Sequence, residues 1–381
     1  MDAIEIIFWA SLFILFYTYW GYPALILLLG RKKRSNQANV NYRPRVSLLI
    51  CAYNEEKVIG AKIKNALETE YPPDKFDIIV VSDGSADSTN EISRRFSDPK
   101  LKFIAYADRG GKAKALNVGM NHLTGDIVVF TDANVSLQKD AVPKLISSFF
   151  DNSIGCVVGN ILLRTKDGII SGESLYSRYE KLIHTAEGNF GTMITVDGAL
   201  YALRRQYVTP IPADSLTDDW YLASGALEDR KRIVYAPDAI GYELAAESVS
   251  GELKRKVRMV AGGYQTAFRR AKLFLNPIRF LTVSFMFFSH KLLRWNALVF
   301  MGTLFLSNFA LISRSLWFGL AWEFQLAFYL FGLFGWLYSS HLKSHLFYIP
   351  FYFTAVNWGA ILGLFRYLAK AQKVTWERGR G

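Results

Sequence analysis

Cysteine is nearly missing from this sequence: two residues, Cys51 and Cys156, in 381. Both sit in apolar runs, so they read as buried core thiols of a reducing compartment, and a disulfide-stapled fold is excluded. Histidine is scarce as well. The five residues His122, His184, His290, His341 and His345 show no clustered metal-ligand spacing along the chain. No internal repeat and no low-complexity segment is present, which excludes a repeat array. A P-loop is lacking too: Gly111-Lys112 is followed by Ala113 where Ser or Thr is required, and the glycine spacing fails. The start, Met1-Asp2-Ala3-Ile4-Glu5, has none of the basic character of a secretory signal, so the apolar segment after it reads as a retained anchor. Acidic charge is in deficit, 33 residues against 45 basic, for a net +12.

Apolar residues are abundant: they make up 51% of the chain and aromatics 15%, and the excess sits at the two ends. A net charge of this sign suits a nucleic acid or an anionic membrane. Much of it flanks apolar segments, at Arg31-Lys32-Lys33-Arg34 and from Arg366 to Arg380, so the partner is a lipid bilayer and not nucleic acid. Residues 6–29 form one run of spanning length, and the basic cluster after it places the next domain in the cytoplasm. Residues 295–313, 316–338 and 346–365 are each long enough to span, while 280–288, beside His290, Lys291 and Arg294, reads as a helix lying in the interface. One N-terminal and three C-terminal spans put the basic tail (Lys370, Lys373, Arg378, Arg380) outside, against the positive-inside tendency. The stretch carrying Glu323 and Gln325 is the suspect, and the parity stays open. Tyr and Trp across these segments read as interfacial belts.

Between the ends the texture changes. Runs at 46–52, 76–82, 101–107 and 126–132 read as buried strands, each bounded by Gly, Pro, Asn or Asp, and helical patterns such as 56–69 and 112–123 lie between them. Strand–helix alternation of this kind gives a mostly parallel sheet covered on both faces, whose ligands bind outside the strand carboxyl ends.

Polar clusters follow four strand ends: Ala52-Tyr53-Asn54-Glu55-Glu56, then Ser82-Asp83-Gly84-Ser85, then Arg109-Gly110-Gly111-Lys112, then Thr131-Asp132-Ala133-Asn134. Singly, Asp83-Gly84-Ser85 is a turn with a helix cap, and Asp132 is another cap. Together, at the carboxyl ends of one sheet, they form a site. With these motifs the sequence resembles the membrane-bound members of glycosyltransferase family 2, the group of cellulose, chitin-oligosaccharide, hyaluronan and poly-N-acetylglucosamine synthases, over about residues 46–272.

The resemblance implies an α/β domain of the GT-A fold with transmembrane α-helices at both ends. The divisions are an anchor at 1–30, a basic linker at 31–45, a cytoplasmic catalytic domain at 46–273, an interfacial helix at 274–291, transmembrane helices at 292–366 and a basic tail at 367–381. It implies donor binding by Asp83, accepting the uracil imide of a UDP-sugar, with Ala52, Tyr53, Asn54 and Glu55 as the opposite wall and Lys112 and Asp132 beside them. Asp132 and Asn134 stand at the ends of the family's D-x-D, the ligands of Mg²⁺ or Mn²⁺. Asn134 brings no charge, so the metal site is weaker than one with two carboxylates.

Leu216-Thr217-Asp218-Asp219-Trp220 resembles the family's T-E-D element, which makes Asp219 the general base and Asp218 its alternative. Read without the family, the two aspartates are a helix N-terminus favoured by its dipole. Gly198, in Val196-Asp197-Gly198-Ala199, resembles the acceptor-side turn; alone it is a tight turn into a core strand. Arg255-Lys256-Val257-Arg258-Met259 lies where processive members carry Q-x-x-R-W. Arg258 then stabilises the departing UDP, Arg255 stands in a donor-binding position, and Met259 replaces the tryptophan that stacks on the acceptor sugar. Read without the family, the segment is a basic membrane-surface helix. The expected function is inverting transfer from a UDP-sugar to a poly- or oligosaccharide acceptor at a bacterial or archaeal cell membrane, with subunits of a synthase complex as further partners. The rivals are single transfer to a lipid-linked acceptor and a catalytically silent scaffold.

Overall fold

The computed structural model describes residues 2–31, 38–164, 175–244, 249–338 and 345–374. Lys32, Lys33, Arg34, His341, Arg378 and Arg380 lie outside them. The chain divides into two compact units: Ile26–Glu247, Gln265–Val283 and Lys373–Gly381 form one, and Met1–Leu25, Ser248–Tyr264 and Ser284–Gln372 the other.

The first of these units is built on a sheet of eight strands: β1 (Val46–Ala52), β2 (Phe76–Asp83), β3 (Leu101–Tyr106), β4 (Ile127–Asp132), β5 (Ser136–Leu137), β6 (Ile154–Arg164), β7 (Leu200–Arg204) and β8 (Arg232–Leu244). Their order is β3-β2-β1-β4-β7-β6-β8-β5. The β3-β2-β1-β4 portion is parallel throughout, with Cys51 opposite Val81 on one side and Asp132 on the other. β7 then runs antiparallel between β4 and β6, and β8 lies parallel to β6 and antiparallel to β5. All seven residues of β1 are buried, as a strand covered by helices on both faces must be.

Helix Ile59–Leu67 buries Ile59, Lys62, Ile63 and Ala66, one face at helical spacing. Helix Lys112–Met120 lies close on the sheet because residue 119 has no side chain: a Cβ on Gly119 would stand 2.4 Å from Leu49 Cδ1. The parallel register brings the ends of β1, β2 and β4 to one edge, and the polar loops emerge there.

The second unit is helical. Four described helices are long and apolar enough to cross a membrane: Ala3–Leu29, Ala297–Arg314, Leu316–Leu337 and Leu346–Leu368. Buried polar side chains in such helices need partners, and several have them. Ser11 bonds Thr303 at 2.8 Å, Tyr19 donates to Asn357 at 3.0 Å, and Gln325 Nε2 donates to the Met301 carbonyl at 3.3 Å. Arg314 pairs with Asp2 and Glu5. Helix Val249–Arg269 enters this unit through its residues up to Tyr264. It is seated against Gly359 and Gly363, where a Cβ would stand 2.6 Å from Leu253 Cδ1 and 2.8 Å from the Val257 carbonyl. Small residues four apart give this close helix approach. The segment from 277 to 295 is helical, with non-helical geometry at Phe280.

Gly84 is the tightest point of the loop after β2. Its φ is +63°, and a Cβ there would stand 2.7 Å from both the Ala107 carbonyl and the Arg109 nitrogen. Gly84→Ala therefore costs about 1–3 kcal/mol of stability. It is expected to lower the melting temperature of the full chain in detergent; an unchanged melting temperature would show that this loop tolerates a side chain.

Candidate active site

The loops after β1 and β2 are tied into one wall. Asn54, at φ +54°, donates its backbone N–H to Ser85 Oγ at 3.0 Å and accepts from the Ala86 N–H at 2.8 Å. Glu55 N–H donates to Thr89 Oγ1 at 2.7 Å, and Glu56 N–H donates to Asp87 at 3.2 Å. An αL asparagine whose side chain bonds the neighbouring backbone is the usual way a non-glycine residue holds that conformation. Tyr53 lies under the Arg109 guanidinium, 3.8 Å from ring centroid to Cζ.

Asp83 is almost fully buried and organises the next loop. Its Oδ1 accepts from Tyr106 Oη and the Gly110 N–H, and its Oδ2 from the Gly111 N–H, all at 2.7 Å. Gly111, at φ +85°, is the residue from which helix Lys112–Met120 starts.

Lys112 opens that helix and reaches across to the end of β4. Its Nζ donates to Asp132 Oδ1 at 2.8 Å and lies 3.7 Å from Asp218 Oδ2. Burial pulls the Lys112 pKa down, but the carboxylates of Asp132, Asp218 and Asp219 outweigh it, and the net shift is upward. Asp218 and Asp219 form the first turn of helix Asp218–Glu228, where the dipole favours negative charge. The segment before them is held from outside: Leu216 N–H donates to Gln265 at 3.0 Å, and Thr217 Oγ1 meets Thr266 Oγ1 at 2.9 Å.

Asp219 is placed against the turn that precedes β7. A Cβ on Gly198 would stand 2.8 Å from Asp219 Oδ2, so glycine leaves that oxygen clear. Burial, then the neighbouring charge of Asp218, pushes the Asp219 carboxyl up to about 7, against the lowering pull of Lys112 and the Trp220 N–H. A small cavity runs among Lys112, Asp132, Gly198, Asp218 and the buried hydroxyl of Tyr201. That hydroxyl has no hydrogen-bond partner among the described residues, and its ring stacks on Phe130 at 4.7 Å.

Ala52, Tyr53, Asn54, Glu55, Asp83, Lys112, Asp132, Asn134, Gly198, Asp218 and Asp219 thus all fall in the sheet unit, at strand ends, in the loops beside them or in the first turn of a helix. Arg255, Arg258 and Met259 lie on the part of helix Val249–Arg269 that belongs to the helical unit, and Met259 is exposed. Asn134 Nδ2 donates to Glu243 Oε1 on β8 at 3.2 Å. Sequence reasoning missed Glu243, Tyr201 and Lys62. Lys62 donates from the core to Thr131 Oγ1 at 3.1 Å and to the Val135 carbonyl at 2.6 Å, directly beneath the Asp132 loop. A lysine on the apolar face of an amphipathic helix was the signal available for it.

The mixed sheet, parallel at β3-β2-β1-β4 and antiparallel at β7, is of the GT-A type. The family model Glycosyl transferase family 2 matches residues 47–207. Poly-β-1,6-N-acetyl-D-glucosamine synthase of Staphylococcus aureus is 28% identical over 275 residues, 68% of this chain and 66% of that protein. The synthase of Staphylococcus epidermidis is 29% identical over 236 residues, 59% of this chain and 56% of that protein. The chain thus spans just under two thirds of the length of the first of these relatives. Among solved structures, a mannosyltransferase from Pyrobaculum calidifontis in complex with GDP-Man and Mn²⁺ superposes with a TM-score of 0.73 at 23% identity, covering 97% of this chain and all of that one. Residues 47–207 thus match a glycosyl transferase family 2 domain, and the fold is of the GT-A type.

The raised Asp219 pKa has a pH signature. The ionised carboxylate is the form able to accept a proton, so kcat/KM for transfer is expected to fall about tenfold per unit as pH drops below about 7. An ordinary carboxylate gives no such limb above pH 5. Asp218→Asn removes the adjacent negative charge and is expected to move the limb to lower pH. A flat profile from pH 5 to 8 contradicts this placement of Asp219.

Proposed function

We propose that this protein transfers a sugar from a UDP-sugar, with inversion at the anomeric carbon, to a growing poly- or oligosaccharide on the cytoplasmic side of its membrane. The observation that carries the reading is the placement of one carboxylate, Asp219, against the Gly198 turn, apart from a second, Asp218, that faces the Lys112 ammonium. One base suits a single in-line displacement: Asp219 takes the proton of the acceptor hydroxyl as its oxygen bonds the anomeric carbon and the bond to the diphosphate breaks. The names of the curated relatives support a polymer of N-acetylglucosamine as the product class.

Asp83, with Ala52, Tyr53, Asn54 and Glu55, is assigned to the nucleotide, and Gly198 to the acceptor side. Asp132 and Asn134 are assigned to Mg²⁺ or Mn²⁺, and the donor set fits a hard cation. Asp132 gives Oδ1 to Lys112 and keeps Oδ2, while Asn134 gives its amide nitrogen to Glu243 and keeps its oxygen. When bound, the ion neutralises charge on the leaving diphosphate. Arg255, Arg258 and Met259 keep the donor, leaving-group and acceptor roles that rest on the resemblance.

The exposed thioether of Met259 favours a second reading, short products or a single transfer to a lipid-linked acceptor. A flat indole covers the apolar face of a sugar; a flexible methionine does not. The scaffold reading is disfavoured by Asp83, Asp132 and Asp219, which a silent protein has no need to keep in one site.

Asp219→Asn is expected to keep the fold and UDP binding and to lower transfer by about 10²-fold or more. Should Asp218→Asn be the damaging change and Asp219→Asn mild, the base is the neighbouring aspartate. Met259→Trp is expected to lengthen products sized by mass spectrometry under donor excess; long polymer from the unmodified enzyme contradicts the limit placed on Met259.

A further inference from the structure

The second position of the metal motif is neutral, yet a carboxylate stands beside it. β5 pairs antiparallel with β8, Ser136 opposite Tyr242 and Leu137 opposite Gly241. Gln138 fastens the same edge by donating from its backbone N–H to the Ile240 carbonyl at 3.0 Å and from Nε2 to Tyr242 Oη at 2.7 Å. This register carries the end of β8 past the segment that follows Asp132, and Glu243 Oε1 accepts from Asn134 Nδ2 at 3.2 Å.

The chemistry of that contact fixes the amide. A carboxylate accepts hydrogen bonds and donates none, whereas an amide has one donating and one accepting end. Only Nδ2 can face Glu243, so Oδ1 is turned to the opposite side. The neutral oxygen at position 134 is therefore held in one orientation, and a negative charge sits one hydrogen bond behind it. Partners of this kind, behind a ligand, orient it and raise its donor strength.

We infer that Glu243 is a positioning residue of the divalent-metal site, supplying through Asn134 the orientation and charge that a second aspartate would bring. The inference rests on the proposed placement of the metal at Asp132 and Asn134. It reverses the simplest expectation for the motif. Asn134→Asp puts a second carboxylate about where Nδ2 now meets Glu243, and two like charges at that spacing repel. The motif is completed by the pair, not by residue 134 alone.

The test is Mn²⁺ binding to the full-length protein in detergent with saturating UDP, read from the electron paramagnetic resonance signal of the free ion, with UDP affinity measured separately in EDTA. Glu243→Gln is expected to weaken Mn²⁺ binding by about tenfold or more and to leave UDP affinity in EDTA unchanged. Asn134→Asp alone is expected to bring no gain. Asn134→Asp with Glu243→Gln reverses the donor and acceptor of the same hydrogen bond and is expected to bind Mn²⁺ as the unmodified protein does, within about twofold. Unmodified protein that binds UDP but no Mn²⁺ overturns the metal site and this inference together. Unmodified protein that binds Mn²⁺ equally well with Glu243→Gln, or markedly better with Asn134→Asp alone, overturns the inference and leaves the site at Asp132 and Asn134 standing.

Discussion

One ammonium, that of Lys112, sits among three carboxylates, and the arrangement of the site depends on it. Asp132 ends β4, and Asp218 and Asp219 begin a helix far away in sequence; Lys112 Nζ is 2.8 Å from the first and 3.7 Å from the second. Without that cation the three acids would face one another in a partly desolvated pocket, where like charges are costly. The lysine itself stands at the first position of its helix, where the dipole disfavours a positive charge. The carboxylates offset that cost. Its aim comes from Asp83, which accepts the N–H groups of Gly110 and Gly111 and so sets where the helix begins. A buried acid after β2 thereby positions a cation that serves the ends of two other elements.

The same cation separates two adjacent aspartates that the sequence makes look equivalent. Asp218 faces Lys112 directly. Asp219 is turned toward Gly198, is partly buried and feels Asp218 beside it, and its carboxyl is pushed up to about 7. A carboxyl whose surroundings raise its proton affinity is the kind of group suited to take up a proton near neutral pH. The missing side chain at Gly198 has a plain purpose in this arrangement: it leaves Asp219 Oδ2 unobstructed.

Much of this was legible in the residues. The strands at 46–52, 76–82, 101–107 and 126–132 appear as β1 to β4 within a residue at each end, because each is a short, largely apolar run closed by turn residues. Four helices of spanning length appear where the apolar runs stand. The outer half of the sheet was not legible. β6 and β8 are long, and their inward and outward residues do not alternate cleanly, so their periodicity gives no strong signal. β7 joins the sheet antiparallel, a choice made by tertiary pairing and not by local propensity. Glu243 was hidden for the same reason: its meeting with Asn134, 109 residues earlier, exists only through the β5–β8 register. Lys62 was readable in principle, as a charge on the apolar face of its helix.

The most direct test of the account is a transfer assay on the purified full-length protein with a panel of nucleotide sugars, including UDP-N-acetylglucosamine and GDP-mannose, and with the anomeric configuration of each product determined by nuclear magnetic resonance. Transfer is expected from a UDP-sugar whose α linkage becomes β in the product. Transfer with the configuration retained, transfer from GDP-mannose alone, or no transfer from any donor would contradict it.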